Sequence, residues 1–170
     1  MRLSALFLGG FVALGLTGCA GYKLGPSNGL PAGTKSIQIN PFANQTLEPR
    51  LSEAVTYAMR KHLQQDGTFR LNTHGDGDII VTGVITRFFR SPLSFQPADI
   101  VTVRDYRLDM TVQITARDRI SGKVILDRPV SGYTTLRVGN DLTSEARQSI
   151  PLLADNLAGN AVSLLADGSW

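Results

Sequence analysis

The chain has 170 residues, of which 17 are basic and 14 acidic, and 42% are hydrophobic. This length suits one domain with its own core, and the nearly balanced charge argues against a dedicated nucleic-acid-binding protein, which concentrates lysine and arginine on one face. A single cysteine excludes an intrachain disulfide, so packing must stabilise the fold.

The N-terminus predicts an export signal followed by a lipid anchor. Arg2 precedes the apolar run Leu3–Leu16, which is shorter than the about 20 residues that a membrane-spanning helix needs. The run ends in Leu16-Thr17-Gly18-Cys19, a pattern that resembles the bacterial lipobox, in which the cysteine is acylated after cleavage. We therefore predict a signal peptide at 1–18 and lipidation, including palmitate, at Cys19. The alternative is an ordinary signal peptide with a chance cysteine nearby.

The residues after Cys19 predict a tether and a membrane address. Ala20 stands where aspartate retains lipoproteins in the inner membrane, so the outer membrane is favoured by analogy. Glycine and proline are frequent in the following residues, which suits a lipidated tether over 19–34. The remaining residues, 35–170, are predicted to form a single domain.

The first elements of this domain are a strand and an amphipathic helix. Ile37 and Ile39 alternate with polar neighbours and predict a short strand. A helix is expected to begin near Glu48-Pro49 and to end at Asp66-Gly67. Its apolar stripe, at spacings of three and four, consists of Leu51, Val55, Ala58, Met59 and Leu63.

Four further strands are predicted after this helix. Phe69–Thr73 is expected to form the second strand and Asp78–Phe89 the third, followed by a loop bounded by Pro92 and Pro97. The fourth strand has the clearest alternation in the chain. Its apolar positions are Tyr106, Leu108, Met110, Val112, Ile114 and Ala116, and its polar ones are Arg107, Asp109, Thr111, Gln113, Thr115 and Arg117.

Irregular positions are expected on either side of this alternation. The apolar phase changes near Arg104-Asp105, which predicts a bulge or break there. Ser121-Gly122 predicts a turn into a partner strand that begins at Lys123, and Pro129 indicates an edge position or a bulge in that partner.

A final helical region closes the predicted domain. Thr143 is expected to cap it, and Pro151 to kink it or divide it into two helices. The element order β-α-β-β-β-β-α predicts an α+β fold with two helices on one face of a mostly antiparallel sheet of four to five strands. The chain ends at Trp170, which is expected to cap the fold or to anchor a partner.

The chain shows no motif for catalysis, a cofactor or a metal. It has no nucleophile elbow, no zinc motif and no phosphate-binding loop. His62 lies beside the helical stripe and His74 in a glycine-rich turn, so both are expected to be structural or solvated. Asp76-Gly77-Asp78 faintly resembles a calcium loop but lacks the other oxygen ligands, so we predict a turn. A non-enzymatic protein without a cofactor is expected.

Two groups of residues are candidates for binding. Arg87 and Phe89 alternate with Phe88 and Arg90, so one arginine and one ring are placed to meet the phosphate and acyl chain of an anionic amphiphile. The alternative is a core Phe88 with arginines at a solvated edge. The second group is the turn from Arg117 to Lys123, with exposed Ile120, and Arg128 beyond it. It is either a docking tip or a solvated turn.

Several segments resemble the lipopolysaccharide-assembly lipoprotein (LptE-like) family. The longest similar segment is NPFANQTLEPRL, residues 40–51. The others, in order, are TYAMR (56–60), QDGTFRL (65–71), DIIVTG (78–83), LSF (93–95), DYRL (105–108) and SGKV (121–124).

This resemblance implies an outer-membrane lipoprotein that helps place lipopolysaccharide in the outer leaflet. In that family the domain is a plug and folding partner of a β-barrel translocon (LptD-like), and it can contact lipopolysaccharide. The expected partners are thus that barrel, lipopolysaccharide and, through the lipid anchor, the membrane, with the domain on the periplasmic side or inside the barrel lumen. The family's lipid-contacting residues do not map by motif, so the candidate contacts are Arg87, Phe89, Arg90, Lys123 and Arg128. The alternative is a different outer-membrane lipoprotein adaptor for envelope scaffolding or a secretion channel.

Overall fold

The computed structural model describes residues 33–139 and 141–167, and it has an α+β fold. The strands are β1 (Ser36–Ile39), β2 (Ala43–Asn44), β3 (Arg70–Asn72), β4 (Ile79–Gln96), β5 (Asp99–Asp118) and β6 (Val124–Arg137). The helices are α1 (Leu51–Asp66) and α2 (Leu142–Ala166). The predicted signal peptide, Cys19 and Trp170 lie outside the described residues. No helix of the described ranges is long and apolar enough to cross a membrane.

The six strands form one mixed sheet in the order β3-β1-β4-β5-β6, with β2 paired to β4. β1 runs parallel to β3 and β4, and β2 parallel to β4, whereas β4, β5 and β6 are antiparallel neighbours. The prediction of a mostly antiparallel sheet of four to five strands is therefore wrong. The physical reason is that α1 carries the chain back between β1 and β3, and such a crossover connection makes the strands parallel.

The core lies between the sheet and the two helices. The predicted stripe of α1 is buried, and so is the alternating apolar row of β5 from Leu108 to Ala116. The stripe of α2 joins the same cluster through Leu153, Leu157 and Leu165. One continuous core therefore forms on one face of the sheet, as the two periodicities predict.

The β4–β5 connection differs from the prediction. Instead of a loop between Pro92 and Pro97, β4 continues to Gln96 and β5 begins at Asp99. Pro92 is tolerated because β4 is paired on one side only at this position, with β5. On its other side, β2 pairs only with Val84 and Ile85 of β4, so the N–H that proline lacks is not needed there. The two strands therefore form a long hairpin.

Two irregular positions that the sequence predicts are present in the structure. The break predicted near Arg104-Asp105 is confirmed, since Ser94 lies opposite Asp105 while Phe95 lies opposite Val103. Pro129 lies in β6, which is an edge strand, as predicted.

The helix termini correct two details. α1 begins at Leu51, shortly after the predicted Glu48-Pro49. The cap of α2 is Asp141 rather than Thr143, because the Asp141 side chain accepts a hydrogen bond from the Thr143 backbone N–H at 2.9 Å. Since the helix begins at Leu142, Thr143 already lies in its first turn, and the Asp141 carboxylate satisfies one of the free N–H groups there.

The helix α2 is continuous through Pro151 and is not divided there. Ile150 and Leu153, on both sides of the proline, are buried in the same core. Packing of both halves against the sheet outweighs the hydrogen bond that proline removes.

Candidate functional site

The face of the sheet opposite the helices is open in the described part of the chain. The polar row of β5, from Arg107 to Arg117, lies on it as predicted. Thr82 of β4 and Ser131 of β6 also lie on this side and are exposed. The fold thus presents a broad, mainly polar surface of three long strands to the exterior.

A β-bulge places Arg87 and Phe89 on this open face. Ile85 pairs with the buried Val112, but the next pairing joins Arg87 to Thr111, so Thr86 is the extra residue. Without the bulge, strict alternation from Ile85 would turn Arg87 and Phe89 towards the core. The bulge therefore reverses the facing of the rest of β4 and brings Phe88 inward, against the core.

Arg87 and Phe89 form a cation–π pair at the surface. The guanidinium carbon of Arg87 lies 5.5 Å from the centre of the Phe89 ring, and Phe89 is 49% exposed. Arg87 has no carboxylate partner among the described residues. A stacked guanidinium keeps its N–H edge free, so the pair can bind an oxyanion beside an apolar surface.

A second arginine–aromatic pair lies on the same face. The guanidinium carbon of Arg107 is 4.1 Å from the centre of the Tyr133 ring, and its Nε donates to Asp109 at 2.9 Å. Phe89, Asp109 and Tyr133 are direct neighbours across the three strands. With strands about 4.8 Å apart, the backbones of Phe89 and Tyr133 are about 10 Å apart.

Sequence reasoning missed Arg107 and Tyr133 as members of this site. For Arg107, the alternation of β5 was a signal in the sequence, because it places this arginine on the polar face. For Tyr133 the sequence held no such signal, because its neighbours depend on the register between β5 and β6. We call Arg87, Phe89, Arg107 and Tyr133 the arginine–aromatic cluster.

The other predicted contacts are not part of this cluster. Arg90 lies opposite Leu108 on the helix side of the sheet and is partly buried. Arg128 lies opposite Ile114, also on the helix side, at the exposed edge strand. Lys123 follows the β5–β6 turn, where its carbonyl accepts from the Asp118 N–H at 2.9 Å. Asp118 is seven positions from Thr111, the partner of Arg87, so Lys123 lies about 24 Å along the strand from Arg87.

The two histidines that the sequence singled out have polar neighbours in the structure. The Nε2 of His62 lies 3.1 Å from Asp155 Oδ1, which also accepts from Lys61 Nζ at 2.9 Å. The Lys61 hydrogen bond lowers the pKa of Asp155. These contacts join α1 to α2. His74 is exposed beside Thr73.

The proposed turn at Asp76-Gly77-Asp78 is tied to β1. Asp78 Oδ2 accepts from the Ser36 N–H at 2.9 Å and from its hydroxyl at 2.7 Å, which lowers the pKa of Asp78. Asp76 accepts from Asn72 Nδ2. Within the described ranges, no group of three His, Cys, Asp or Glu side chains is placed to hold a metal ion.

A groove of about 750 Å³ lies on the other side of the molecule, between α1 and α2. Ala54, Ala58, Ile150 and Pro151 give it apolar walls. Its charged lining residues are Glu48, Arg50, Glu53, Lys61, Arg147 and Asp155. The core separates this groove from the arginine–aromatic cluster, so the two surfaces can contact different partners at the same time.

Comparison with known proteins assigns the family. The family model described as LptE, lipopolysaccharide-assembly, matches residues 34–167. The chain belongs to the LptE family. The resemblance of the sequence motifs is thereby confirmed, and the match extends beyond the last motif, at 121–124, through the C-terminal helix. No curated protein gives a significant match to this LptE-family chain.

Solved structures share the fold of this LptE-family chain at low identity. A hypothetical protein from Chlamydia trachomatis has a TM-score of 0.56 at 10% identity, covering 78% of this chain and 95% of its own. A minor lipoprotein from Acinetobacter baumannii has 0.52 at 12%, covering 78% and 92%. A protein from Xanthomonas campestris has 0.60 at 6%, covering 86% and 91%.

Proposed function

We propose that this chain is an outer-membrane lipoprotein that assists the insertion of lipopolysaccharide into the outer leaflet. It acts as plug and folding partner of the β-barrel translocon of the LptD type. The observation that carries this proposal is the LptE family match over residues 34–167. A compact domain with one continuous core suits a plug, because such a domain keeps its shape inside a larger protein.

The proposed attachment is the acylated Cys19, with 19–34 as the tether. Each buried methylene contributes about 0.8 kcal/mol, so several acyl chains would hold the protein firmly at the membrane. The domain would then lie on the periplasmic side or inside the barrel lumen, and it would act by binding rather than by catalysis.

The arginine–aromatic cluster is the proposed contact for lipopolysaccharide. Lipid A carries phosphates beside acyl chains, and the cluster presents guanidinium groups beside exposed rings. Arg87, which has no described carboxylate partner, is the best placed to bind phosphate. Arg90 would add charge from the other face of the same strand. Lys123 lies beyond reach of the same ligand headgroup and Arg128 faces the helix side of the sheet, so both are proposed as contacts for the barrel.

Purification tests the partner. From detergent-solubilised outer membranes, the lipoprotein should co-purify with one large β-barrel protein. Recovery of the lipoprotein alone, under conditions that preserve other barrel complexes, would contradict the proposal. Depletion of the protein should reduce surface lipopolysaccharide. Unchanged surface lipopolysaccharide would favour the alternative adaptor in envelope scaffolding or a secretion channel.

A binding assay tests the cluster. Arg87→Ala should weaken lipopolysaccharide binding about 10- to 100-fold, since a hydrogen bond to a charged group contributes about 1.5–3 kcal/mol. The matched control is Arg117→Ala, an exposed arginine on the polar row of β5 near the other end of the strand. Equal affinities of the two variants would exclude Arg87 as a contact.

A further inference from the structure

The carboxylate of Asp109 lies in the middle of the arginine–aromatic cluster. Asp109 pairs across the strands with Phe89 on one side and Tyr133 on the other. Both of its oxygens accept from Arg107 Nε, at 2.9 and 3.1 Å. The two residues are two positions apart on β5, so their side chains lie on the same face of the sheet. An acidic side chain is thus part of a surface proposed to bind phosphate, where a negative charge by itself repels the ligand.

Two contacts fix the guanidinium group of Arg107. Asp109 holds its Nε, and the ring of Tyr133 lies against its planar face, with 4.1 Å between the guanidinium carbon and the ring centre. Both hydrogen bonds that Arg107 donates in the described part of the chain come from Nε. Since a guanidinium group is planar and has five N–H donors, the Nη groups stay available to an oxyanion.

The aromatic side of this arrangement is itself anchored to the domain. The backbone N–H of Tyr133 donates to Asn156 Oδ1 of α2 at 3.0 Å. By contrast, the guanidinium carbon of Arg87 lies 5.5 Å from the centre of the Phe89 ring, and no described carboxylate pairs with it. Of the two arginines of the cluster, Arg107 is therefore the one that is held both at an edge and on a face.

We propose that Asp109 is a positioning residue for ligand binding, and that it holds Arg107 against Tyr133 before a phosphate group arrives. This inference rests on the lipopolysaccharide contact proposed above. A long arginine side chain loses rotamer freedom when a ligand immobilises it, and a side chain that is already immobilised avoids this loss on binding. The gain exceeds the repulsion between Asp109 and the phosphate, because water screens the partly exposed carboxylate.

The contact between Arg107 and Asp109 should matter little for folding. The two side chains are 41% and 36% exposed, and ion pairs with this exposure contribute little to stability. Replacement of Asp109 should therefore leave the midpoint of urea unfolding nearly unchanged. An effect on ligand binding can then be measured separately from an effect on the fold.

Two substitutions of Asp109 separate positioning from charge. Asp109→Ala removes both the charge and the acceptor for Arg107 Nε, whereas Asp109→Asn removes the charge and keeps an acceptor oxygen. With the full-length protein and lipopolysaccharide as the probe, Asp109→Ala should weaken binding about 3- to 10-fold, the factor expected when one long side chain must be ordered on binding. Asp109→Asn should bind at least as tightly as the unsubstituted protein. If Asp109 acted through its charge alone, both variants would bind more tightly, and to the same extent.

A control variant and a double substitution complete the test. Asp127→Ala is the matched control, because Asp127 lies on the same face, and its described partners are Gln113 and Thr115 rather than an arginine. It should not weaken binding. Arg107→Ala should weaken binding, and Asp109→Ala added to it should cause no further loss, since no guanidinium group is left to position.

The possible results distinguish this inference from the function on which it rests. The positioning role is overturned if Asp109→Ala binds as tightly as Asp109→Asn, or if Asp109→Ala weakens binding equally with and without Arg107. Weaker binding by Arg107→Ala but not by Asp109→Ala would keep the proposed contact and refute only the positioning role. If neither Arg87→Ala nor Arg107→Ala changes the affinity, the proposed lipopolysaccharide contact fails together with this inference.

Discussion

Replacement of Gly132 by alanine should separate α2 from the sheet. A Cβ built at Gly132 would lie 2.6 Å from Leu157 Cβ and 2.7 Å from Leu157 Cα and N. Carbon atoms pack at about 3.5–4.0 Å, so the helix would have to retreat by about 1 Å. These atoms are the Cβ and backbone of the buried Leu157, and no side-chain rotation moves them away.

The magnitude follows from two losses. Overpacking a core costs about 1–3 kcal/mol. The retreat would also stretch the hydrogen bonds from Tyr133 N–H to Asn156 Oδ1 and from Asn160 Nδ2 to the Ser131 carbonyl, both 3.0 Å long. Each such bond contributes about 0.5–1.5 kcal/mol. The lower chain entropy of alanine offsets about 0.5–1 kcal/mol, so we expect a net loss of about 1–5 kcal/mol.

Urea unfolding followed by circular dichroism measures this loss, and Gly159→Ala is the matched control. A Cβ at Gly159 would lie 3.6 Å from His62 Cε1, an ordinary contact. Since Gly159 lies in α2, alanine there should stabilise the protein by about 0.5–1 kcal/mol. The reasoning is refuted if Gly132→Ala unfolds within about 0.5 kcal/mol of the unsubstituted protein, a change typical of a neutral surface substitution.

Three more substitutions test individual contacts. Thr56→Val should lower the free energy of unfolding in urea by about 1–3 kcal/mol, because the buried Phe42 N–H loses its acceptor, Thr56 Oγ1 at 3.1 Å; Thr56→Ser should retain most of the stability. Hydrogen bonds from Ser94, Arg104 and Arg137 hold the pKa of Asp105 well below its usual range, so its charged form stabilises the fold above the unfolded pKa of about 3.9. Asp105→Asn should therefore destabilise at pH 7, and urea titrations should show the difference shrinking below about pH 4; an equal difference at pH 3 would contradict this. Asn156→Ala should accelerate hydrogen exchange of the Tyr133 amide, whereas Asn160→Ala, which removes a donor to a carbonyl, should leave that amide unchanged.

The outer edge of β6 is a case in which the sequence predicts the position of a strand but not the contacts that it makes. Ser131 and Tyr133 direct their backbone groups away from β5, towards Asn160 and Asn156. Pro129 has the same parity, so its missing N–H falls on this outer side and the ladder to β5 loses nothing. Proline predicted an edge strand, but the sequence held no sign that two asparagines of α2 would occupy that edge.

The mixed sheet illustrates a different limit. β1, β2 and β3 have two to four residues each, too few for a pattern that distinguishes parallel from antiparallel pairing. Their pairing is decided by the α1 crossover and by burial of Ile37 and Ile39 between neighbours. The long β5 carried enough alternation to be predicted residue by residue.

From the sequence alone, periodicity predicted the two amphipathic helices and the half-buried β5, Ser121-Gly122 predicted a turn, and the motifs resembled the family. These features depend on neighbours within a few residues, so local sequence patterns are enough to predict them. The tertiary structure decided which side chains form the surface that we propose to bind lipopolysaccharide. The bulge at Thr86 turns Arg87 and Phe89 to the open face, and the strand register places Tyr133 beside Arg107. Both depend on hydrogen bonds between residues distant in sequence, and a one-residue change of register reverses every side chain of a strand.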